Sequence, residues 1–439
     1  MKLGVLLKHY GLAKYRERHW KSREQLEQWQ HRRVVSFLKQ LKGKSRLYSE
    51  YLETLDPEDW REWPTLDKNL MMDRFDDLNT VGVTKEEAFE VALRAERERD
   101  FSPQLGSVTV GLSSGTSGNR GIFLVSEEER AAWAGTVLAK ALPGSLLAKH
   151  RVAFFLRADS NLYQSVKSKR ITFRFFDMIR PLEEHIEQLN ELLPSILVGP
   201  PSMLRLLAEA KRDGRLAAAP ERIISVAEVL EELDRRFVEN IFGTKLHQIY
   251  QCTEGFLAFT CSHGTLHLNE DILVIQKDYL DEAAGLFSPV ITDFSRQAQP
   301  IVRYRLNDLL TERPEPCPCG CVFTAISSIG GRTDDVFYGR VLGSEEQTAP
   351  IFPDFIRRAV MLASPQILEY RIVQHSQTQV EAAIRASVPL EDIQGALETE
   401  LISAFTSQGC CPPDVRFVPY SFVAGPVKLR RIERRFAKK

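Results

Sequence analysis

The sequence predicts an α/β protein that has a large N-terminal domain and a small C-terminal α+β domain. Between about Ser107 and Asp293, short apolar strands alternate with amphipathic helices, which favours mostly parallel sheets covered by helices. From Leu266 to Leu310 the strands follow one another without helices, so a small, more antiparallel, β-barrel-like subdomain is expected there. After Arg332 a helix, two strands, a helix and a strand follow, which is typical of a separate small unit.

Each part of this organisation has a local signal. The segment from about Tyr15 to Leu55 has apolar residues at helical spacing and predicts helices that pack on the main body. Ser126 and the glutamates that follow it form a capping box, which predicts a helix directly after the strand Ile122 to Val125. His150 to Leu156 reads as a strand, and later helices are expected to stop at Gly214 and Gly243.

The domain boundary is predicted at the glycine pair Gly330-Gly331. Residues 1–331 then form the large domain and residues 332–439 the small one. Because the junction is flanked by glycines, we expect it to act as a hinge and the small domain to be mobile.

Composition excludes several classes of protein. The chain has 439 residues, 43% hydrophobic and 27% charged, with a formal net charge of -1. This balance argues against nucleic acid or an anionic membrane as the main partner, and no apolar run is long enough to span a bilayer. The seven cysteines all lie at or after Cys252, and three of them form the run Cys317-Pro318-Cys319-Gly320-Cys321. An odd, clustered set indicates metal chemistry in a reducing compartment, so a cytoplasmic protein is expected.

The most informative stretch is Gly111 to Gly121, which has four hydroxyl residues and four glycines in eleven positions. Such a backbone folds tightly around oxyanions and offers both N–H and O–H donors. It is neither a Walker loop nor a GxGxxG motif. Taken alone, it is also compatible with a flexible linker, and the motifs downstream decide between the two interpretations.

Three further motifs follow it in order. They are Tyr250-Gln251-Cys252-Thr253-Glu254-Gly255, the segment from Ile291 to Asp308, and Gly331-Arg332-Thr333-Asp334-Asp335. With these residues the chain resembles the adenylate-forming superfamily of acyl- and aryl-acid ligases, in particular its phenylacetate–CoA ligase and coenzyme F390 synthetase-like (CapK-type) branch. Trp63-Pro64-Thr65-Leu66-Asp67-Lys68 and Cys317-Pro318-Cys319-Gly320 also resemble signatures of that branch.

The resemblance implies an ATP- and acid-binding domain followed by a C-terminal lid, and it assigns roles to individual residues. The loop is expected to cradle the pyrophosphate of ATP, with Arg120 in place of the lysine that many relatives carry. Glu254 is expected to bind Mg²⁺, Thr253 to contact the α-phosphate, and Asp308 to accept the ribose hydroxyls. The predicted nucleotide-binding set is Ser113, Ser114, Gly115, Thr116, Ser117, Gly118, Arg120, Ser225, Glu228, Tyr250, Asp308 and Arg332.

The cysteines predict a zinc site. Cys261 and His267 on one hairpin, with Cys317 and Cys319 on another, provide the four N/S ligands of a closed, structural tetrahedral site. Cys321 and His263 are competing ligands, and a set of reduced thiols without metal is the alternative.

The C-terminus departs from the family. Adenylate-forming enzymes usually carry Gly-Lys near the end, whereas this chain has Gly425-Pro426-Val427-Lys428. Lys428 is the nearest substitute for the catalytic lysine, and its alternative interpretation is one basic residue among several arginines.

The sequence thus predicts an AMP-forming enzyme that activates a carboxylic acid, expected to be aromatic, and passes it to a thiol. The run from Phe337 to Arg340 differs from that of CoA ligases, so CoA and the phosphopantetheine of a carrier protein both remain open as acceptors. The other hypothesis is a catalytically weak nucleotide-binding sensor or scaffold with the same fold.

Overall fold

The computed structural model describes residues 2–100, 102–113, 120–157, 161–344, 346–422 and 428–436. Its helices are α1 (Leu3–His19), α2 (Arg23–Leu41), α3 (Arg46–Thr54), α4 (Lys68–Asp73), α5 (Phe75–Leu78), α6 (Lys85–Glu98), α7 (Glu127–Ala141), α8 (Asn161–Gln164), α9 (Leu182–Leu192), α10 (Pro201–Arg212), α11 (Glu232–Phe242), α12 (Pro353–Ala363) and α13 (Glu391–Thr406). None of these helices has both the length and the apolar character that crossing a bilayer requires.

The strands of the first part of the chain are β1 (Gln104–Leu105), β2 (Val108–Leu112), β3 (Ile122–Val125), β4 (His150–Leu156), β5 (Ile171–Asp177), β6 (Ile196–Gly199), β7 (Arg222–Ser225), β8 (Leu246–Cys252), β9 (Gly255–Thr260) and β10 (Leu266–Leu268). Those of the second part are β11 (Val274–Asp281), β12 (Leu286–Asp293), β13 (Ile301–Arg305), β14 (Asp308–Glu312), β15 (Ala325–Arg332), β16 (Phe337–Arg340), β17 (Thr348–Ile351), β18 (Ile367–Ser376), β19 (Gln379–Ala386), β20 (Asp414–Pro419) and β21 (Ile432–Arg434).

Local signals explain where the elements around the site begin. The capping box predicted at Ser126 is present, since the Ser126 side chain accepts a hydrogen bond from the backbone of Glu129, and the Glu129 carboxylate accepts one from the backbone of Ser126. Helix α11 ends at Gly243, which has a φ of +64° in the left-handed region that glycine adopts without strain. The predicted strand from His150 to Leu156 is β4, with the same bounds.

One sheet of twelve strands organises the molecule. Its order is β11-β12-β14-β15-β10-β9-β8-β7-β6-β4-β5, with β13 paired to β12. Strands β4 to β8 pair in parallel, and from β8 onward the pairs are antiparallel. The predicted α/β class is confirmed. The strands from Leu266 to Leu310 are antiparallel, as predicted. Among the described residues they continue the large sheet and do not close into a barrel, since β11 at the end of the sheet pairs with β12 alone.

The carboxyl ends of β7 and β8 face the same edge of this sheet, and β8 reverses there into β9 through Thr253 and Glu254. In open α/β sheets this edge is where ligands bind. The first sheet, β1-β2-β3, brings the ends of the glycine- and hydroxyl-rich loop next to it.

The C-terminal part forms a four-stranded sheet of order β20-β19-β18-β21, against which α12 and α13 pack. Ion pairs join it to α10 and to the start of α11. Arg385 donates to Glu209 of α10 over 2.8 Å. Arg357 Nε lies 2.9 Å from both carboxylate oxygens of Glu231, and Arg431 donates to Asp234 over 2.7 Å. Strand β21 was not predicted from the sequence. It pairs in parallel with β18 and so carries Lys428, just before it, toward the large domain.

Candidate active site

A cavity of about 1250 Å³ opens at the carboxyl ends of β7 and β8. Its polar end is bordered by residues from several distant parts of the chain, which are Lys68, Glu254, Asp308, Arg332 and Lys428. Five charged groups around one opening make it the best candidate for a binding or catalytic site.

Tyr250 and Asp308 form the centre of this polar end. The Tyr250 hydroxyl at the end of β8 donates to Asp308 Oδ2 over 2.5 Å, and Asp308 begins β14. Burial raises the pKa of Asp308, while the bond from Tyr250 and the charge of Arg332 oppose that effect. Arg332 is the direct cross-strand partner of Asp308 on β15. Asp308 is therefore a hydrogen-bond acceptor held in a fixed orientation beside a cation.

The β8–β9 turn presents Thr253 and Glu254 to the cavity. Arg296 holds this turn, because its Nη1 donates to the Thr253 carbonyl over 3.0 Å. Glu254 lies close to Tyr304 and Lys68. Burial raises the pKa of Tyr304 and lowers that of Lys68, and the charge of Glu254 raises both. Glu254 is thus a carboxylate at the cavity wall, facing a lysine.

The loop motif is described only at its two ends. Ser113 and Gly121 close its neck, since the Ser113 N–H donates to the Gly121 carbonyl over 2.8 Å and the Gly121 N–H donates to Ser113 Oγ over 2.8 Å. The predicted residues Ser114, Gly115, Thr116, Ser117 and Gly118 lie outside the described residues.

Sequence reasoning missed a residue at this neck. Lys68, the first residue of α4, donates from Nζ to Ser113 Oγ over 3.2 Å. Arg120, which was predicted to supply the positive charge here, borders the cavity but is bound by Glu96, with distances of 2.6 and 2.7 Å from its two terminal nitrogens. The motif around Asp67-Lys68 carried a family signal, but no local pattern indicates that Lys68 lies beside a loop 45 residues further along.

The segment after β7 also faces the cavity. Ala227 has a φ of +66°, and the Glu228 N–H donates to the Val226 carbonyl over 2.8 Å, so the chain makes a tight turn that brings Glu228 to the wall. Glu228 binds Arg157 over 2.8 Å. The predicted residue Ser225 lies one step earlier, is fully buried, and does not border the cavity.

Lys428 enters the cavity from the C-terminal part. Its neighbour Leu429 donates its N–H to Glu228 Oε1 over 3.3 Å, and Arg430 pairs with Asp335. Burial lowers the pKa of Lys428, as do the charges of Arg332 and Arg157. Gly425 and Pro426, on which the comparison with the family pattern rested, lie outside the described residues.

The four predicted zinc ligands form a second cluster, away from the cavity. The ligand atoms of Cys261, His267, Cys317 and Cys319 all lie within 4.8 Å of one another. Cys261 Sγ is 3.7 Å from Cys317 Sγ, and Cys319 Sγ is 3.4 Å from His267 Nε2. A tetrahedral zinc with bonds of about 2.3 Å to sulfur and 2.0–2.1 Å to nitrogen separates its ligand atoms by roughly 3.5–3.8 Å. These two separations are close to those of such a site.

The histidine orientation fits the same interpretation. His267 Nδ1 lies 3.0 Å from the Phe323 carbonyl, which can only accept, so Nδ1 donates there and Nε2 faces Cys319. Among the described residues, the competing ligands Cys321 and His263 are not in the group of four.

Known proteins share sequence and fold with this chain. No family model matches the sequence. Over 245 residues the chain is 26% identical to a phenylacetate-coenzyme A ligase of Thermus thermophilus, and the match covers 51% of this chain and 52% of that protein. The chain thus spans about half the length of the curated relative that it matches.

Solved structures match over a longer range. One match is a 2-hydroxyisobutyryl-CoA ligase in the postadenylation state, in complex with 2-HIB-AMP. The superposition covers 95% of this chain and 90% of that ligase, with 18% identity and a TM-score of 0.69. Another match is an anthranilate CoA ligase in complex with anthranoyl-AMP. The superposition covers 72% of this chain and 65% of that ligase, with 11% identity and a TM-score of 0.51. The predicted resemblance to the adenylate-forming superfamily is confirmed, because the chain has the fold of these ligases and half of it is similar to a phenylacetate–CoA ligase.

Proposed function

We propose that this protein uses ATP to convert a carboxylic acid to an acyl-adenylate, with release of pyrophosphate, and then transfers the acyl group to a thiol. The observation that carries the proposal is the polar end of the cavity. The hydrogen-bonded pair of Tyr250, the donor, and Asp308, the acceptor, lies there. The carboxylate of Glu254 and the side chains of Lys68 and Lys428 border the same end.

Asp308 is proposed to bind the ribose. A carboxylate accepts up to four hydrogen bonds, so it can accept one from Tyr250 and still receive both ribose hydroxyls. Arg332 lies beside it on β15 and is proposed to contact the ribose or a phosphate. The turn at Val226 to Glu228 is proposed to line the adenine. Ser225, also in the predicted nucleotide-binding set, is buried directly before this turn.

The phosphates are proposed to lie between the loop neck and the β8–β9 turn. In the adenylation step the acid carboxylate attacks the α-phosphorus, the bond from that phosphorus to the bridging oxygen breaks, and pyrophosphate leaves with the electron pair. Lys68 at the neck and Lys428 from the C-terminal part stabilise the negative charge that moves onto the phosphate oxygens. Thr253 contacts the α-phosphate, and Glu254 holds Mg²⁺, which when bound neutralises phosphate charge.

The proposal also names the thiol that accepts the acyl group and the class of carboxylic acid. CoA and a carrier-protein phosphopantetheine are both thiols, and the relatives named above are CoA ligases, which supports CoA. The expected preference for an aromatic acid rests on the family resemblance. It is supported by the rings of Trp133, Phe154 and Tyr163, which border the cavity.

The domain arrangement and the metal site complete the proposal. We propose that residues 332–439 form a lid that moves between the two half-reactions. The cluster of Cys261, His267, Cys317 and Cys319 is proposed to hold one structural zinc ion, which would join the β9–β10 hairpin to the segment before β15.

The decisive experiment is carboxylate-dependent exchange of labelled pyrophosphate into ATP, measured across a panel of acids. Exchange that requires an acid supports the proposal, because it reports reversible adenylate formation. Tight ATP binding without exchange for any acid would instead favour the sensor or scaffold hypothesis, which the Pro426 departure motivates.

A further inference from the structure

The cavity continues far beyond its polar end, into the space between α7 and the parallel sheet. One face of α7 borders it, with residues at helical spacing such as Ala132, Thr136 and Ala141. The face extends from Glu129 to Ala141, twelve steps along the chain, which corresponds to about 18 Å along the helix axis.

The two ends of α7 locate the cavity relative to the reacting groups. At the N-terminal end, the Glu129 carboxylate accepts from the backbone of Gln297 and Ala298, in the loop whose Arg296 holds Thr253. At the other end, Arg222, the first residue of β7, lies 3.4 Å from the Ala141 carbonyl. The deep cavity therefore extends from the proposed phosphate site to the opposite edge of the sheet.

The sheet wall shows the same depth. Pairs of residues two positions apart on one strand both border the cavity, namely Val226 and Ile224 on the β7 side and Val198 and Ile196 on β6. Such residues share a face and lie about 6.6 Å apart along the strand. The cavity thus passes at least two layers of side chains below the sheet edge.

This deep part has apolar walls. Thr136 donates its hydroxyl to the Ala132 carbonyl over 3.0 Å, and Trp133 donates to Gln251 over 3.2 Å near the polar end. Among the described residues of the α7 face from Ala132 to Ala141 and of the facing β6 and β7 strands, none that borders the cavity is charged. Arg222 lies near the far end and His9 borders the cavity from α1, but the cavity-lining residues described on the α7 face and on the two strands offer a carboxylate no charged partner.

The outer side of α7 is closed, which fixes the wall. Helix α1 crosses α7 at Gly135, where a Cβ atom would lie 2.2 Å from the Leu6 carbonyl oxygen. The helices touch so closely that α7 cannot shift outward or inward without breaking this contact.

We propose that the acid substrate carries an extended apolar tail, which lies between α7 and the parallel sheet while its carboxylate meets the polar end. This inference rests on the proposed function and names its substrate class. The cavity volume of about 1250 Å³ exceeds the roughly 300–1,000 Å³ that is usual for one small ligand. A nucleotide would occupy the polar end, so the apolar part between α7 and the sheet is the place for a long alkyl or ω-phenylalkyl tail.

Exchange kinetics with homologous acids test the inference. We expect kcat/KM to rise from butanoate to octanoate to dodecanoate, and from phenylacetate to 8-phenyloctanoate, by about fourfold per methylene until the cavity is full. A kcat/KM that is highest for phenylacetate or butanoate and falls with added methylenes would overturn it, while leaving the proposed function intact.

A variant probes the deep end directly. Ala141→Phe puts a ring into the far end of the cavity, so kcat/KM for dodecanoate should fall at least tenfold while that for butanoate stays within twofold. Ala148→Phe makes the same change at an exposed position outside the cavity wall and should leave the chain-length profile unchanged. Equal losses for both acids in a folded Ala141→Phe protein would contradict the inference. Should that variant fail to fold, the smaller Ala141→Leu gives the same readout.

A binding measurement distinguishes failure of the proposed function from failure of the proposed apolar tail. Calorimetric titration with dodecanoate needs no turnover, so binding of dodecanoate without exchange would refute the proposed function and support the apolar site. Binding of neither dodecanoate nor 8-phenyloctanoate, with or without ATP, would refute the tail.

Discussion

Replacing Lys68 with methionine is expected to slow adenylate formation by about 10²–10³ while leaving the fold intact. Lys68 Nζ donates to Ser113 Oγ over 3.2 Å at the neck of the proposed pyrophosphate loop. Methionine keeps the length of the side chain and its helix propensity at the start of α4, so the change removes mainly the positive charge.

The magnitude follows from the position of this charge. At about 4 Å, a unit charge interacts with another by about 4 kcal/mol at an effective dielectric constant of 20. Removing one donor that stabilises developing negative charge typically costs about 10²–10³ in rate, or 2.7–4 kcal/mol, so the two estimates agree. Burial lowers the pKa of Lys68, so its charge should also be lost at a lower pH than that of an ordinary lysine, with an alkaline decline in wild-type activity that Lys68→Met lacks.

Acid-dependent pyrophosphate exchange measures the effect, and Arg120→Met is the matched control. Arg120 also borders the cavity, but Glu96 binds its two terminal nitrogens, so its loss should change the rate by less than fivefold. Thermal unfolding should give nearly equal Tm values for wild type and both variants. The reasoning is refuted if Lys68→Met keeps more than a fifth of the activity, or if Arg120→Met loses as much as Lys68→Met.

Three further outcomes are expected. Glu254→Gln should abolish exchange without changing Tm, because Glu254 is proposed to hold Mg²⁺; exchange near the wild-type rate would remove that role. Elemental analysis should find about one zinc per chain, and Cys317→Ser should lower Tm more than it lowers ATP affinity; protein prepared without chelator that holds no transition metal would contradict the site. Lys428→Ala should slow adenylation by about 10²–10³ yet spare thioester formation from a supplied acyl-adenylate. Equal loss in both half-reactions would indicate misfolding of the small domain, and no loss in either would show that Lys428 takes no part.

Much of the fold was predictable because its signals are local. The bounds of β4 follow from an apolar run, and the start of α7 follows from the capping box at Ser126. Strand β21 was not predicted, because three residues with mixed polarity carry little pattern and become a strand only by pairing with β18. The antiparallel strands were predicted, but their open course beside β8 depends on pairing between distant segments.

The motifs predicted the two polar clusters, because each motif contains the residue types that its chemistry needs. Tyr250, Asp308 and Arg332 border one cavity, and the ligand atoms of the four predicted zinc-binding residues lie within 4.8 Å of one another. Their roles remain predictions, as do the domain boundary and the part of the loop that lies outside the described residues.

The sequence by itself determined the succession of strands and helices and the kinds of side chain available at the site, since both depend on neighbouring residues. The tertiary structure alone decided which cation stands at the loop neck, because a charge binds the partner nearest in space: Arg120 reaches Glu96, and Lys68 reaches Ser113. The tertiary structure alone also forms the deep apolar cavity. That cavity exists only where α7, held by α1 at Gly135, faces the sheet at a distance that no local pattern encodes.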